Sequence, residues 1–298
     1  MSDVDLFLQT LVSTVTQGSI LALISIGMTL VYGTLRVLNM AQGAMVMVGG
    51  FAAYTTLQVA DFPVWVSMVV AVLVTFVFGL ATYFVAVKPL LGRPGIDFEM
   101  TAFISTFAAA TIVQNVCLLA YGPRQKPFEP VIPGLIRISG SVSITYHALL
   151  MNVVAIGSLV ALGVFLSRSR YGLAITAVAQ NLEAARLMGI PARRAYATTM
   201  GIAAALAGVG GVLLAPVYFI SPNSGDLPLL QSLIVVIFAG LGSVRGTIYA
   251  AYIIGFIQSA VSIYWGSAYA LPVLYLIIVV VLVIRPYGLA GKPQEARL

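Results

Sequence analysis

From Gly246 to Ile284 the chain runs without a charged residue, far longer than the roughly 20 apolar residues that one bilayer crossing needs. Such a run must fold back on itself, and Trp265-Gly266-Ser267 is the natural place. The pattern recurs along the chain. Leu6–Tyr32, Val37–Ala60, Phe62–Val87, Met100–Pro123, His147–Ser167, Ala195–Gly225 and Leu227–Val244 are further charge-free stretches, separated by single charges or short polar segments. A chain of 298 residues that is 60% hydrophobic and 8% charged departs far from the roughly 25% charge of a soluble domain. The expectation is an all-α polytopic membrane protein forming one transmembrane domain over residues 1–298. It has nine crossings, or eight if one glycine-rich run is re-entrant.

Charge placement predicts the orientation. With the N-terminus outside and crossings alternating, only Arg124, Lys126 and Arg137 of the 15 basic residues fall on the outer side. The rest fall inside, among them Arg36, Lys88, Arg168, Arg170, Arg186, Arg245 and Arg285, as the positive-inside rule requires. The C-terminus is therefore expected in the cytoplasm. The net charge of +6 is spread between apolar runs, which is the pattern of membrane orientation and not of a nucleic-acid-binding patch. The start Met1-Ser2-Asp3-Val4-Asp5 lacks the basic residues of a cleavable signal peptide, so the first apolar run is expected to be retained.

Two loops stand out. The outer segment 121–147 carries Pro123, Pro127, Pro130 and Pro133, then Ile136, Ile138, Val142 and Ile144 around Ser139-Gly140-Ser141, the pattern of a small hairpin. It is either a docking surface or a lid on the outer helix ends. On the inner side, 168–194 predicts one short amphipathic helix beginning after Gly172. Ile175, Val178, Leu182 and Ala185 form its apolar stripe, Gln180, Glu183 and Arg186 turn the other way, and it ends at Gly189 before Pro191. Such a helix, tethered to spans at both ends, suits the receipt of a push from a soluble partner.

Glycines and neutral polar residues mark the membrane interior. Gly27, Gly33 and Gly43 around Asn39 and Gln42, Gly208, Gly210 and Gly211 before Pro216, and Gly240, Gly242 and Gly246 around Arg245 predict either broken spans lining a path or close helix packing. Gln9, Ser13, Thr16 and Gln17 share one helix face. With Asn39, Gln42, Gln114, Asn115, Asn152, Gln258 and Ser259 they either line a path for a polar solute or bond helix to helix.

All nine acidic residues fall in predicted loops or tails, which argues against an ion-coupled carrier with an intramembrane carboxylate. His147 is expected at the outer interface and Cys117 as a packed thiol. One cysteine excludes an internal disulfide and a cysteine metal cluster. No phosphate-binding glycine loop, metal-ligand spacing or nucleophile with a general base is present, so neither a catalytic nor a metal residue is expected.

The run Gly27-Met-Thr-Leu-Val-Tyr-Gly33-Thr-Leu-Arg-Val-Leu-Asn39-Met-Ala41-Gln42-Gly43 resembles the signature of the permease subunits of bacterial ABC importers for branched-chain amino acids, in particular the high-affinity branched-chain amino acid protein H type. The resemblance continues through Glu183-Ala184-Ala185-x-x-x-Gly189-Ile190, Ala207-Gly208-Val-Gly-Gly211, Ala239-Gly240-Leu-Gly242-Ser243-Val-Arg-Gly246 and Arg285-Pro286-Tyr-Gly288. It implies a permease of the bacterial inner membrane that pairs with a second related permease, two cytoplasmic ATPase subunits and a periplasmic solute-binding protein. The chain itself then needs no cofactor, because ATP binds to the partners. By the same resemblance Glu183, Ala184, Ala185, Arg186 and Gly189, entered through Gln180 and Asn181, form the coupling helix seated in the ATPase. Members often carry Asn-Phe-Ala-His-Gly-Glu where this chain has Asn39-Met40-Ala41-Gln42-Gly43-Ala44. That change leaves the solute open between branched-chain amino acids and urea or short amides. A self-sufficient secondary transporter or channel is the competing class.

Overall fold

The computed structural model describes residues 3–128, 134–139, 142–285 and 288–290; Pro130, Pro133, Gly140, Ser141 and Pro286 lie outside them. Every apolar run becomes helical. In order these are α1 Asp3–Leu35, α2 Gln42–Tyr54 continued by a π turn to Val59, α3 Val64–Thr82 continued to Leu90, and α4 Phe98–Tyr121. The hairpin strands β1 Leu135–Ser139 and β2 Val142–Thr145 follow, then α5 Tyr146–Arg168, α6 Arg170–Gln180, α7 Leu182–Leu187 and α8 Ala192–Tyr218. The series ends with α9 Asp226–Ala239, α10 Val244–Tyr264 and α11 Ala270–Ile284. The fold-back expected at Trp265-Gly266-Ser267 is present, with Gly266 at φ 106° between α10 and a 3-10 turn.

Seven of these helical stretches are long and apolar enough to cross a bilayer. The runs Val37–Ala60 and Leu227–Val244, expected as crossings, hold α2, which with its π turn spans Gln42–Val59, and the shorter α9; neither is among those seven. The 14 residues of α9 reach about 21 Å at 1.5 Å per residue, short of the ~30 Å hydrocarbon core.

The shortening has a local cause. Arg36 turns at φ 60° and the chain through Met40 is not helical. Asn39, wholly buried, accepts from the Ala41 amide at 3.1 Å, and the Met40 amide donates to Thr106 Oγ1 at 3.2 Å. Unwound backbone is tolerated there because protein groups satisfy it. α2 then starts beside the middles of α1 and α8, since Gln42 Nε2 donates to the Ile24 carbonyl at 3.1 Å and lies 3.5 Å from that of Ala203. Gly43 touches Gly225, immediately before α9, so closely that a side chain on either would collide with the other's backbone. The first turns of α2 and α9 thus meet part-way through the bundle. From there α2 runs beside α8 to the end where Thr55 and Tyr121 hydroxyls lie 2.7 Å apart. α9 runs to the opposite end, where Gly242 packs on Gly33.

α1 and α8 form the buried centre, while α3, α4, α5 and α11 leave most of their surface outward. The glycine-rich run of α8, a candidate broken span, is one unbroken helix. Its glycines serve packing: Gly208 abuts Gly49, Gly210 abuts Ile24 and Gly211 abuts Val46, all too close for a side chain. α10 crosses α1 in the same manner at Gly255 and Gly18, reinforced by Thr29 and Thr247 hydroxyls 2.7 Å apart.

The segments predicted to be inner gather at one end, where Arg36, Gly92, Glu99, Asn181 and Glu183 line one cavity. At the other end the expected hairpin forms, pairing Ile136 with Ile144 and Arg137 with Ser143. Gln9 Oε1 accepts from the Ser143 amide at 3.3 Å, tying that hairpin to the start of α1. Lys126 and Ile220 exchange backbone bonds of 2.7 and 3.2 Å, and Phe128 is buried against Phe51 and Val212. The described part of the outer loop therefore packs on the bundle.

Candidate functional site

Two places in the fold bring chemistry-bearing residues together. The first is the connection between α5 and α8. The single helix expected there is two helices. α6 begins before Gly172 because Ser169 caps it, its Oγ accepting from the Gly172 amide at 2.9 Å, and Gly172 itself sits against the Phe165 backbone. α6 ends at Gln180, Asn181 adopts an extended backbone, and α7 starts beyond it. The break follows from side-chain chemistry: Asn181 Oδ1 accepts from the Glu183 and Ala184 amides at 3.0 and 3.1 Å, the geometry of a helix N-cap. Glu183 then lies in the first turn and Arg186 in the last, each at the favourable pole of the helix dipole.

Gly189 closes α7. It sits at φ 78°, its amide bonds the Arg186 carbonyl at 3.0 Å, and the Ile190 amide reaches back to Ala185 at 3.0 Å. This is a Schellman motif, whose left-handed position favours glycine. The apolar stripe behaves as expected for Ile175, Val178 and Ala185, which are buried, with Leu182 partly so. Gln180, Glu183, Ala184 and Arg186 are exposed, and Arg186 also donates to the Tyr196 hydroxyl. Beneath α7 lies a cavity of about 930 Å³, bordered by Arg36, Glu99, Gln180, Glu183, Arg186 and Tyr196. Leu187 and Met188, absent from the sequence expectation, are 88% and 82% exposed at the tip. Their signal was legible: they sit two and one places before the closing glycine, off the buried stripe.

The second place is a cavity of about 340 Å³ between α1, α9, α10 and α11, on the hairpin side of the bundle. Ser13 and Gln17 of the expected path line it, with Gln258 and Ser259. Gln231, Ser262 and Ser267 complete the polar lining; the sequence marks Ser267 only as part of the fold-back and gives no path signal for the other two. Tyr218, Leu227 and Gln231 also border a neighbouring cavity of about 310 Å³ formed with Ser221, Asn223 and Ser224.

The remaining path candidates do not join this cavity. Gln9 holds the hairpin. Asn39 and Gln42 are buried in the bonds that start α2, and Gly43 in its contact with Gly225. Asn152 Nδ2 bonds Thr16 Oγ1 at 3.1 Å, a helix-to-helix tie. Asn115 is exposed on α4 and bonds back to the Thr111 carbonyl.

Gln114 Nε2 donates to Asp226 Oδ1 at 2.9 Å. Gln114 lies two turns inside the Tyr121 end of α4, about 10 Å at helical rise, and the Asp226 carboxylate meets it there on the exposed face of the bundle. Asp226 itself is exposed and is the first residue of α9, at the boundary expected between two apolar runs. His147, expected at an interface, is buried, with Nε2 3.2 Å from the Leu213 carbonyl.

The comparisons with known proteins agree with one another. The family model "Branched-chain amino acid transport system / permease component" matches residues 10–282. The high-affinity branched-chain amino acid transport system permease protein BraD of Pseudomonas aeruginosa is 30% identical over 311 aligned positions, covering 100% of both chains. The corresponding protein LivH of Escherichia coli K12 is 29% identical over 305, covering 98% of each. Among solved structures, PsaBC from Streptococcus pneumoniae, determined in complex with Fab, aligns with TM-score 0.52 at 11% identity over 95% of this chain and 92% of that one, a likeness of fold. A bundle with seven helices of crossing length, a capped exposed helix at one end and full-length relatives of one kind leads to a single assignment: the chain is a multi-pass membrane protein belonging to the branched-chain amino acid transport system permease family.

Proposed function

We propose that this permease imports branched-chain or similar hydrophobic amino acids, driven by ATP hydrolysed on partner subunits. The observation that carries the coupling role is α7: a capped helix at the basic end of the bundle, with Glu183, Arg186, Leu187 and Met188 exposed and only Ala185 buried. An exposed Leu–Met pair flanked by both charge signs suits docking into a groove of a soluble partner. Residues 168–194 act as the lever, and Gln180, Asn181, Glu183, Ala184, Ala185, Arg186 and Gly189 shape or present it. The working assembly contains a second related permease, two cytoplasmic ATPase subunits and a solute-binding protein, and this chain binds no cofactor. It sits as one domain in a bacterial inner membrane, N-terminus outside and C-terminus cytoplasmic, with α2 and α9 as partial crossings among nine. The positive-inside distribution and the gathering of those basic segments at one end support that placement.

Solute passes through the neutral polar interior on the α1 side, past Ser13 and Gln17. Reconstitution with the partners in liposomes tests the reading. Leucine uptake should require ATP inside and binding protein outside. Charge reversal at both Glu183 and Arg186 should leave insertion intact, keep ATP hydrolysis and remove uptake. Uptake of leucine by the permease alone, driven by an ion gradient, would overturn it.

A further inference from the structure

The wall of the cavity between α1, α9, α10 and α11 holds, just behind its surface, polar atoms that no group among the described residues satisfies. Gln258 Oε1 and Ser259 Oγ are buried and have no hydrogen-bond partner, and both residues line the cavity, at 8% and 3% exposure. An unpartnered polar atom in such a place costs about 1–3 kcal/mol, and this fold places two on adjacent residues. Around them stand further amides and hydroxyls, from Gln17, Gln231, Ser13 and Ser262, with no charged side chain in the lining. Beside Ser267 and the Tyr218 ring with its hydroxyl, the remaining lining is apolar: Leu227, Ile263, Ala270 and Leu271.

That composition selects a ligand class. A solute bearing net charge would enter without a counter-ion, at a large desolvation cost. A purely apolar solute would leave the amide and hydroxyl groups unpaired. We infer that this cavity is a solute-binding station within the permease, taking a small solute of zero net charge whose polar end bonds Gln258 and Ser259 and whose apolar end packs on Leu227, Ile263 and Leu271. Its volume of about 340 Å³ lies at the small end of ligand sites. A leucine-sized zwitterion meets the description: once rotation of the two side chains brings these atoms to the cavity surface, its ammonium donates to Gln258 Oε1 and its carboxylate accepts from Ser259. The inference rests on the import reading above and adds a place where the permease itself contacts solute.

The test uses the complete reconstituted transporter in a Cys117→Ser background. Ser262→Cys and Ser13→Cys place thiols on the lining for a small methanethiosulfonate reagent. Leucine and acetamide are the two probes, and lysine is the charged control. The expected result is labelling slowed at least about 5-fold by saturating leucine or acetamide and unchanged by lysine. In parallel, Gln258→Leu and Ser259→Ala should each lower leucine uptake by roughly 10-fold, the loss of about one hydrogen bond. Binding-protein-stimulated ATP hydrolysis should stay within about 2-fold of the parent, which also shows that the variants assemble. Labelling unaffected by either neutral probe, or uptake at parental rates in both variants, would overturn the inference. Protection by acetamide with no uptake of leucine by the parent would instead defeat the amino-acid reading and leave the cavity assigned to a short amide.

Discussion

Single residues decide where this chain stops being helical, and each does so through an identifiable bond. Asn181 is the clearest: periodicity alone carries a helix from Gly172 to Gly189, yet its side chain offers the Glu183 and Ala184 amides an acceptor in place of a helical carbonyl. Sequence patterning showed the buried stripe, but it did not weigh that competition, so it joined two helices into one. Asn181→Ala should cost about 1 kcal/mol of local stability, read as faster amide exchange in 182–187 with the rest of the bundle unchanged. Gly189→Val places a branched side chain at φ 78°, a strain of about 1–2 kcal/mol, and should loosen the same segment. Gly43 was read from sequence as a possible breaker in a path; in the fold it is a contact. Gly43→Val should destabilise the purified protein by at least about 1–3 kcal/mol through collision with Gly225. Gly157→Val, with open space around it, should leave the melting temperature in place.

At the scale of elements, the long helices were legible because a charge-free run of membrane length has one stable solution, a helix that satisfies its own backbone. The short ones were not. Val37–Ala60 and Leu227–Val244 look like full crossings in hydropathy because buried interior and lipid-facing surface are equally apolar. What shortens them is tertiary: Asn39 and Met40 satisfied by neighbours, and Gly43 against Gly225. That geometry also sets Asp226, at the start of α9, beside Gln114, and family membership is what separates the transporter classes. The path residues divided for the same reason. A shared helix face brought Ser13 and Gln17 to one cavity, but Gln231 and Ser262 reach it from other helices, and spacing within one helix carries no information about that. For α7, the exposed tip makes a direct prediction: Leu187→Asp with Met188→Asp should leave the permease folded while weakening ATPase co-purification at least about 10-fold, the loss of roughly 1.4 kcal/mol.

At the scale of the whole molecule, the bundle is a buried pair, α1 and α8, with outward-facing helices around it and two partial helices meeting inside. Glycine contacts let backbones touch along α1–α10 and α2–α8, so these helices are suited to moving as one body. In the proposed cycle a push delivered at α7 enters that body through α5 and α8, to which 168–194 is joined at its two ends. In the proposed import cycle α7 faces the cell interior, where the partner subunits would hydrolyse ATP. The direct test is a single cysteine at Leu187 in the Cys117→Ser background, probed with a membrane-impermeant maleimide in vesicles of both orientations. Labelling should occur only in inside-out vesicles and should be blocked once the ATPase subunits are added back. Labelling in right-side-out vesicles would place the helix on the wrong side of the membrane and contradict the proposal.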